Sequence, residues 1–193
     1  MAGRILVAAI LGGLALFAWG AVAHMVLGLG DTSFKGIPNE EMVLGTMKQN
    51  MTQPGLYFFP WMDMKSTDKA AMEAWTQKYK AGPSGLMVFY PNGMEPMSAR
   101  HMIVQVITDI LAVLFAVILL AKAAGSIKGY FGRVLFMATF GLVGSLAILL
   151  PYWNWYGFPS DFTISSIIEQ VVGFLVAGLV VAGMIKHRER PPM

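Results

Sequence analysis

The sequence predicts a membrane-embedded bundle of four α-helices, with a small α+β extracytoplasmic domain inserted between the first and second helices. Of the 193 residues, 56% are hydrophobic and only 13% are charged, whereas soluble domains carry roughly a quarter charged residues. Four stretches are apolar over about 20 residues, the length that crosses a bilayer as a helix. The remaining segment, residues 30–100, is polar and contains short strand and helix patterns.

The same composition excludes several classes of function. The low charge argues against a disordered protein, a coiled coil and a nucleic-acid binder. The chain has no cysteine, so it has no disulfide, thiolate metal site or cysteine nucleophile. No P-loop, dinucleotide fingerprint, zinc-protease histidine pair or nucleophile elbow occurs in the sequence. The sequence therefore favours a protein that is not an enzyme.

The four expected spans are residues 5–29, 101–120, 134–150 and 163–185, the third ending at Pro151. They divide the chain into an N-terminal anchor helix (1–29), the α+β domain (30–100) and a three-helix region with a short tail (101–193). Ala21-Val22-Ala23 also resembles a signal-peptidase site, and cleavage there would leave three spans. We expect an uncleaved anchor, because the apolar run continues beyond this point.

Basic residues in the short connecting segments predict the orientation. Seven of them lie on one side of the expected spans: Arg4, Lys122, Lys128, Arg133, Lys186, Arg188 and Arg190. Lysine and arginine are enriched in cytoplasmic loops of bacterial inner-membrane proteins, whereas long segments cross regardless of their charge. Both termini are therefore expected in the cytoplasm, and residues 30–100 outside it.

Two helix–strand patterns organise the α+β segment. Asn39 is expected to cap a helix to about Met51, and Ser66 or Thr67 a second helix to about Lys80. Strands are expected at 56–59 and 86–90, each stopped by a proline. Their similarity suggests a repeated helix–strand unit with parallel strands. Two unrelated strands with proline stops are the favoured interpretation.

A set of polar side chains interrupts the apolar spans at similar depth. It comprises His24 in the first span, Gln105 and Asp109 in the second, and Glu169 and Gln170 in the fourth. A carboxylate in a bilayer is costly, so these groups are expected to face the bundle interior, a cavity or a partner. They could form a pocket that binds a cation or relays protons, or could hydrogen-bond each other and fix helix packing. The second interpretation is favoured.

Methionine and aromatic residues supply two further candidate sites. Nine of the 15 methionines lie in residues 30–100. Thioethers are soft ligands for Cu(I), and Met62, Met64, Met94 and Met97 are the candidates. The alternative is that methionine fills gaps in a small core. The aromatic run contains Tyr152, Trp153, Asn154, Trp155 and Tyr156, and could hold a lipid, quinone, isoprenoid or partner, although an interfacial belt is favoured.

Small residues four positions apart occur in three of the spans, as in Ala9–Gly13 and Gly141–Ser145. Such spacing lets helices approach closely in a bundle or larger assembly. The sequence as a whole predicts a bacterial inner-membrane accessory or assembly subunit without a cofactor, which has membrane-protein partners or forms a homo-oligomer. The alternative is a ligand-handling protein for a lipid, quinone or Cu(I). A lipid-directed enzyme using His24, Asp109 or Glu169 as acid–base groups has the least support.

Overall fold

The computed structural model describes residues 2–63, 65–127 and 129–185. The chain divides into two compact units, a helical unit (Met1–Phe34 and Met97–Met193) and an α+β unit (Lys35–Pro96). The described residues form six α-helices and two strands: α1 (Ala2–Met25), α2 (Glu40–Asn50), β1 (Gly55–Phe59), α3 (Lys69–Ala81), β2 (Gly85–Phe89), α4 (Ala99–Ala123), α5 (Gly129–Tyr156) and α6 (Ser160–Val181).

Four helices of the helical unit are long and apolar enough to cross a membrane. They are α1, α4, α5 and α6, the four found when the described residues are searched. Each has a mean hydropathy between 2.1 and 2.7 over its most apolar window. The prediction of four helices long and apolar enough to span a membrane is confirmed. Such helices can be predicted from sequence because one long run of apolar residues is enough to identify each of them.

The third span does not end where the sequence predicted. Pro151 was expected to stop it, but α5 continues through this proline to Tyr156. A proline removes one intrahelical hydrogen bond and crowds one turn, a local cost that a 28-residue helix accommodates. The aromatic run is therefore mostly helical, and the α5–α6 connection is only residues 157–159, with Gly157 at φ 70°.

Close approach of backbones defines the packing of the bundle. α1 packs against α4 and α6, and α5 packs chiefly against α6. A Cβ atom added to Gly13 would lie 2.5 Å from the Cα atom of Ile110, so α1 and α4 approach closely there. At Gly141 it would fall on the backbone of Gln170 in α6. The small-residue spacings thus mark real helix–helix contacts.

The end of the bundle where α1 begins contains most of the buried core. Its largest fully buried side chains are Val113, Val117, Leu120, Met137 and Val181. Nearby, the Arg133 Nε donates to the carbonyl of Ala182 at 2.9 Å. A basic side chain on the last carbonyls of a helix satisfies groups that have no intrahelical donor.

The two strands of the α+β unit are antiparallel, so the suggested parallel arrangement is wrong. Gly55 pairs with Phe89, and Phe59 pairs with Gly85. The chain thus enters β2 at the end where it left β1. α3 alone advances about 20 Å at 1.5 Å per residue, and a connection as long as residues 60–68 can span a similar distance in the opposite direction.

The helix starts of this unit also differ from the expected caps. α3 begins after Asp68, whose carboxylate accepts from the backbone N–H groups of Ala70 and Ala71. Asp68, and not Ser66 or Thr67, is therefore the N-cap of α3. The helix begins one residue later than it would if Thr67 were the cap. Asn39 does precede α2, but at φ 53° its side chain makes no capping hydrogen bond.

Aromatic contacts hold α3 against the small sheet. The rings of Phe58 and Tyr79 stack with centroids 5.9 Å apart, and Trp75 packs on Tyr79 at 5.3 Å. The Trp75 indole N–H also donates to the carbonyl of Pro60 at 2.9 Å. No helix or strand residue described in this unit is fully buried, so its core is thin.

Candidate ligand cavity in the helical unit

A cavity of about 430 Å³ lies at the end of the bundle where α1 ends and α4 and α6 begin. Pockets that hold small molecules typically have volumes of roughly 300–1,000 Å³, with mostly apolar walls and a few polar groups. The wall matches this description. It is formed by Leu16, Phe17, Trp19, Gly20, Ala21, His24, Met25, Met97, Met102, Gln105, Asp109, Glu169 and Gln170.

The five polar residues singled out in the spans all line this one cavity. Gln105 and Asp109 are four residues apart on α4 and therefore share a helix face. Glu169 and Gln170 lie midway along α6, and His24 lies at the end of α1. The antiparallel packing of α1 on α4 and α6 brings these positions to one level of the bundle.

Glu169 connects α6 to α1 through two contacts. Its Oε1 atom lies 3.0 Å from the Nε2 atom of His24. Its backbone carbonyl accepts the indole N–H of Trp19 at 2.9 Å. The Glu169 side chain is 19% exposed and that of His24 is 59% exposed. The pair therefore lies at the mouth of the cavity, where its polar groups also hold two helices together.

Asp109 has a different environment. Only 8% of the residue is exposed, and its Oδ1 atom accepts a hydrogen bond from the Gln105 side-chain amide at 2.9 Å. This bond lies within α4 and joins no second helix. An ionised carboxylate has about four acceptor sites, and the hydrogen bonds of the described residues supply a donor to Oδ1 alone. Asp109 thus retains unused acceptor capacity beside the cavity.

The apolar part of the wall could not be identified from the sequence. Leu16, Phe17 and Trp19 occur in a uniformly apolar helix, in which many other residues have the same character. The rotation of α1 in the bundle decides which of them face the cavity. Among these residues, Trp19 alone could be expected from its type to face the bundle interior, because a buried indole N–H usually requires a hydrogen-bond acceptor.

The aromatic run of α5 forms a cluster of its own and contributes no residue to the cavity wall. Tyr152 stacks on Phe158 with centroids 5.4 Å apart. The contacts continue from Phe158 to Phe162 and from Phe162 to Phe34. Trp153 donates from its indole N–H to the Ser160 hydroxyl at 3.0 Å. Asn154, Trp155 and Tyr156 complete the run at exposed positions.

The candidate copper-binding methionines are divided between the two units. Met62 and Met94 belong to the α+β unit, whereas Met97 belongs to the helical unit. Met64 lies outside the described residues. Met97 lines the cavity together with Met25 and Met102. In the described part of the chain, no group of three or more histidine, aspartate and glutamate side chains could hold a metal ion.

Comparisons with known proteins supply no relative from which a function could be transferred. The chain matches no protein-family model, no curated protein and no solved structure. The interpretation of the cavity therefore depends on its geometry and chemistry.

Proposed function

We propose that this chain is a membrane protein that binds a small amphipathic ligand, of the lipid or quinone class, in the cavity of its helical unit. The observation that carries the proposal is the convergence of five polar side chains and an apolar wall on one volume of about 430 Å³. Side chains that served only to hold helices together would pack directly against one another and need not surround a common open space. Moreover, the side-chain hydrogen bond of Asp109 among the described residues lies within its own helix and connects it to no other.

Native mass spectrometry tests this proposal. The full-length protein is extracted from membranes in a mild detergent and its bound mass is measured before and after mild collisional activation. We expect one ligand equivalent that survives detergent exchange, since a pocket burying most of its ligand releases it slowly. A chain that carries no specific adduct after extraction, and takes up none from added lipid or quinone, contradicts the proposal. A copper adduct would identify Cu(I) instead.

The proposed location is a bacterial inner membrane, with both termini in the cytoplasm and the α+β unit outside it. The basic residues Arg4, Lys122 and Arg133 support this orientation. They lie where α1 begins, α4 ends and α5 begins, at the end of the bundle opposite the cavity. Lysine and arginine near span ends favour the cytoplasmic side. The cavity would then open near the outer surface of the membrane.

Single-cysteine labelling tests the orientation without background, because the natural chain has no cysteine. Asn92→Cys, at an exposed turn of the α+β unit, should react with an impermeant maleimide on intact cells. Ser126→Cys, in the exposed α4–α5 turn, should react only after permeabilisation. The two variants are each other's control. If Ser126→Cys reacts on intact cells and Asn92→Cys does not, the orientation is opposite to the one proposed.

A second candidate is the accessory or assembly subunit, favoured by the surface of the α+β unit. Leu56 and Val88 face each other across the two strands and are 66% and 65% exposed. A two-stranded sheet is marginal alone, and among the described residues no third strand pairs with it. Such a sheet could gain stability from a protein partner. The same mild extraction distinguishes the candidates, since a partner subunit would co-migrate as protein mass.

A further inference from the structure

We infer that the cavity selects a ligand with a primary ammonium head and an apolar body. This inference rests on the proposed ligand-binding function and specifies its ligand class. Two carboxylates, Asp109 and Glu169, line the cavity, and among the described residues the imidazole of His24 pairs with Glu169. Among the described residues of the wall, none is lysine or arginine.

When both carboxylates are ionised, the wall carries two negative charges, and a protonated His24 offsets only one of them. The net charge of the wall is therefore negative in both protonation states of His24. If His24 is charged, it offsets Glu169, and no described residue then provides Asp109 with a cationic partner. A carboxylate at low dielectric favours a cation or a hydrogen-bond donor, because the attraction is weakly screened there. An anionic or acceptor-only headgroup would meet repulsion from the same groups. Charge complementarity thus favours a cationic head.

The hydrogen-bonding state of Asp109 favours a primary ammonium over a quaternary one. The residue is 8% exposed, and the described donors reach only its Oδ1 atom. A primary ammonium has three N–H donors and can supply a charge-assisted hydrogen bond to the remaining oxygen. A trimethylammonium head has no donor. Gln105 and Gln170 offer further amide oxygens on the same wall.

The rest of the wall fits an organic ammonium better than a bare metal ion. Leu16, Phe17, Met25 and Met102 provide an apolar surface, which suits an alkyl or aromatic body. Trp19 also lines the cavity, and indole is the side-chain ring that attracts cations best. A divalent metal ion would require a compact set of oxygen or nitrogen ligands. The described residues contain no group of three histidine, aspartate or glutamate side chains that could provide it.

Three probes with the same tail and different heads test the inference. The full-length protein is placed in nanodiscs of phosphatidylcholine, a lipid whose headgroup has no primary amine, and titrated with n-octylammonium, n-octanol and n-octyl sulfate. Empty nanodiscs provide the partition background. We expect n-octylammonium to bind at least about tenfold more tightly than the other two, as for a charge-assisted hydrogen bond in a partly buried site. Equal binding of the three, or tighter binding of the sulfate, overturns the inference.

Isosteric variants test which residues provide the selectivity. Asp109→Asn and Asp109→Asn/Glu169→Gln keep the shape of the wall and remove charge, so they should lower n-octylammonium affinity towards that of n-octanol. Asp161→Asn is the matched control, because Asp161 lies on α6 but outside the cavity wall. Retained ammonium selectivity in Asp109→Asn/Glu169→Gln contradicts the assignment. The titration of the natural chain with the three probes uses no variant, so it tests the inference even if a variant does not fold.

Two sources could supply the ammonium head, an ethanolamine phospholipid or a free amphipathic amine. Replacing part of the phosphatidylcholine by phosphatidylethanolamine separates them. Competition with n-octylammonium identifies the lipid, whereas unchanged affinity for the probe identifies a free amine; both agree with the inference. If none of the three probes binds, the proposed ligand-binding function fails as well. If all bind without preference, only the ammonium assignment fails.

Discussion

Gly141→Ala is expected to destabilise the bundle, although alanine is the better helix former. A Cβ atom at this position would fall on the carbonyl oxygen of Gln170, and backbone of a packed helix cannot move aside as a flexible side chain can. Overpacking of this kind costs about 1–3 kcal/mol in the free energy of unfolding. The measurement is the equilibrium unfolding of the purified protein in mixed micelles, followed by circular dichroism.

Gly144→Ala is the matched control for this substitution. It lies one turn further along α5, and a Cβ atom there meets nothing within 4 Å. Alanine should therefore be neutral or stabilise α5 by up to about 1 kcal/mol, the difference in helix propensity. Since Gln170 lines the cavity, Gly141→Ala should also weaken ligand binding. Equal stability of the two variants would show that α5 and α6 do not approach closely at Gly141.

Gly20→Trp is expected to abolish ligand binding while leaving the bundle folded. Gly20 lines the cavity, and a Cβ atom added there meets nothing within 4 Å. An indole at this position has open space to enter and would displace the ligand without forcing helices apart. Binding of n-octylammonium, or retention of the co-purified ligand, should fall at least about tenfold, a difference of about 1.4 kcal/mol.

Two glycine variants in the same helix control for this result. Gly3→Trp adds the same side chain at a position that is equally open but outside the cavity wall, so binding should not change. Gly20→Ala occupies little of the cavity and should retain most of the affinity. Undiminished binding by Gly20→Trp would place the ligand elsewhere, and the aromatic cluster around Tyr152 and Phe158 would be the next surface to test.

Much of the architecture could be predicted because it depends on local features of the chain. Four apolar runs of the required length identify four long helices, and they are found as α1, α4, α5 and α6. The strands at β1 and β2 follow from short β-forming runs stopped by prolines. Small residues at Gly13 and Gly141 marked close helix contacts before any packing was known. In each case, a few neighbouring residues determine the outcome.

The predictions that were wrong concern features that several local arrangements or a long connection could satisfy. The direction of β2 depends on the whole connection between the two strands, which the strand residues themselves do not record. The path of α5 beyond Pro151 depends on whether the flanking turns stay helical. The capping role of Asp68 depends on where α3 begins, and Ser66, Thr67 and Asp68 are all acceptable caps by residue type.

The candidate site shows the same division between sequence and tertiary structure. The sequence alone determined that His24, Asp109 and Glu169 interrupt apolar helices and must avoid lipid, because the cost of a polar group in a bilayer follows from its chemistry. Only the tertiary structure decided that these residues surround one cavity with Trp19, and that the described residues donate to only one oxygen of Asp109. That arrangement depends on the rotation and close approach of α1, α4 and α6, which arise from packing across the whole bundle.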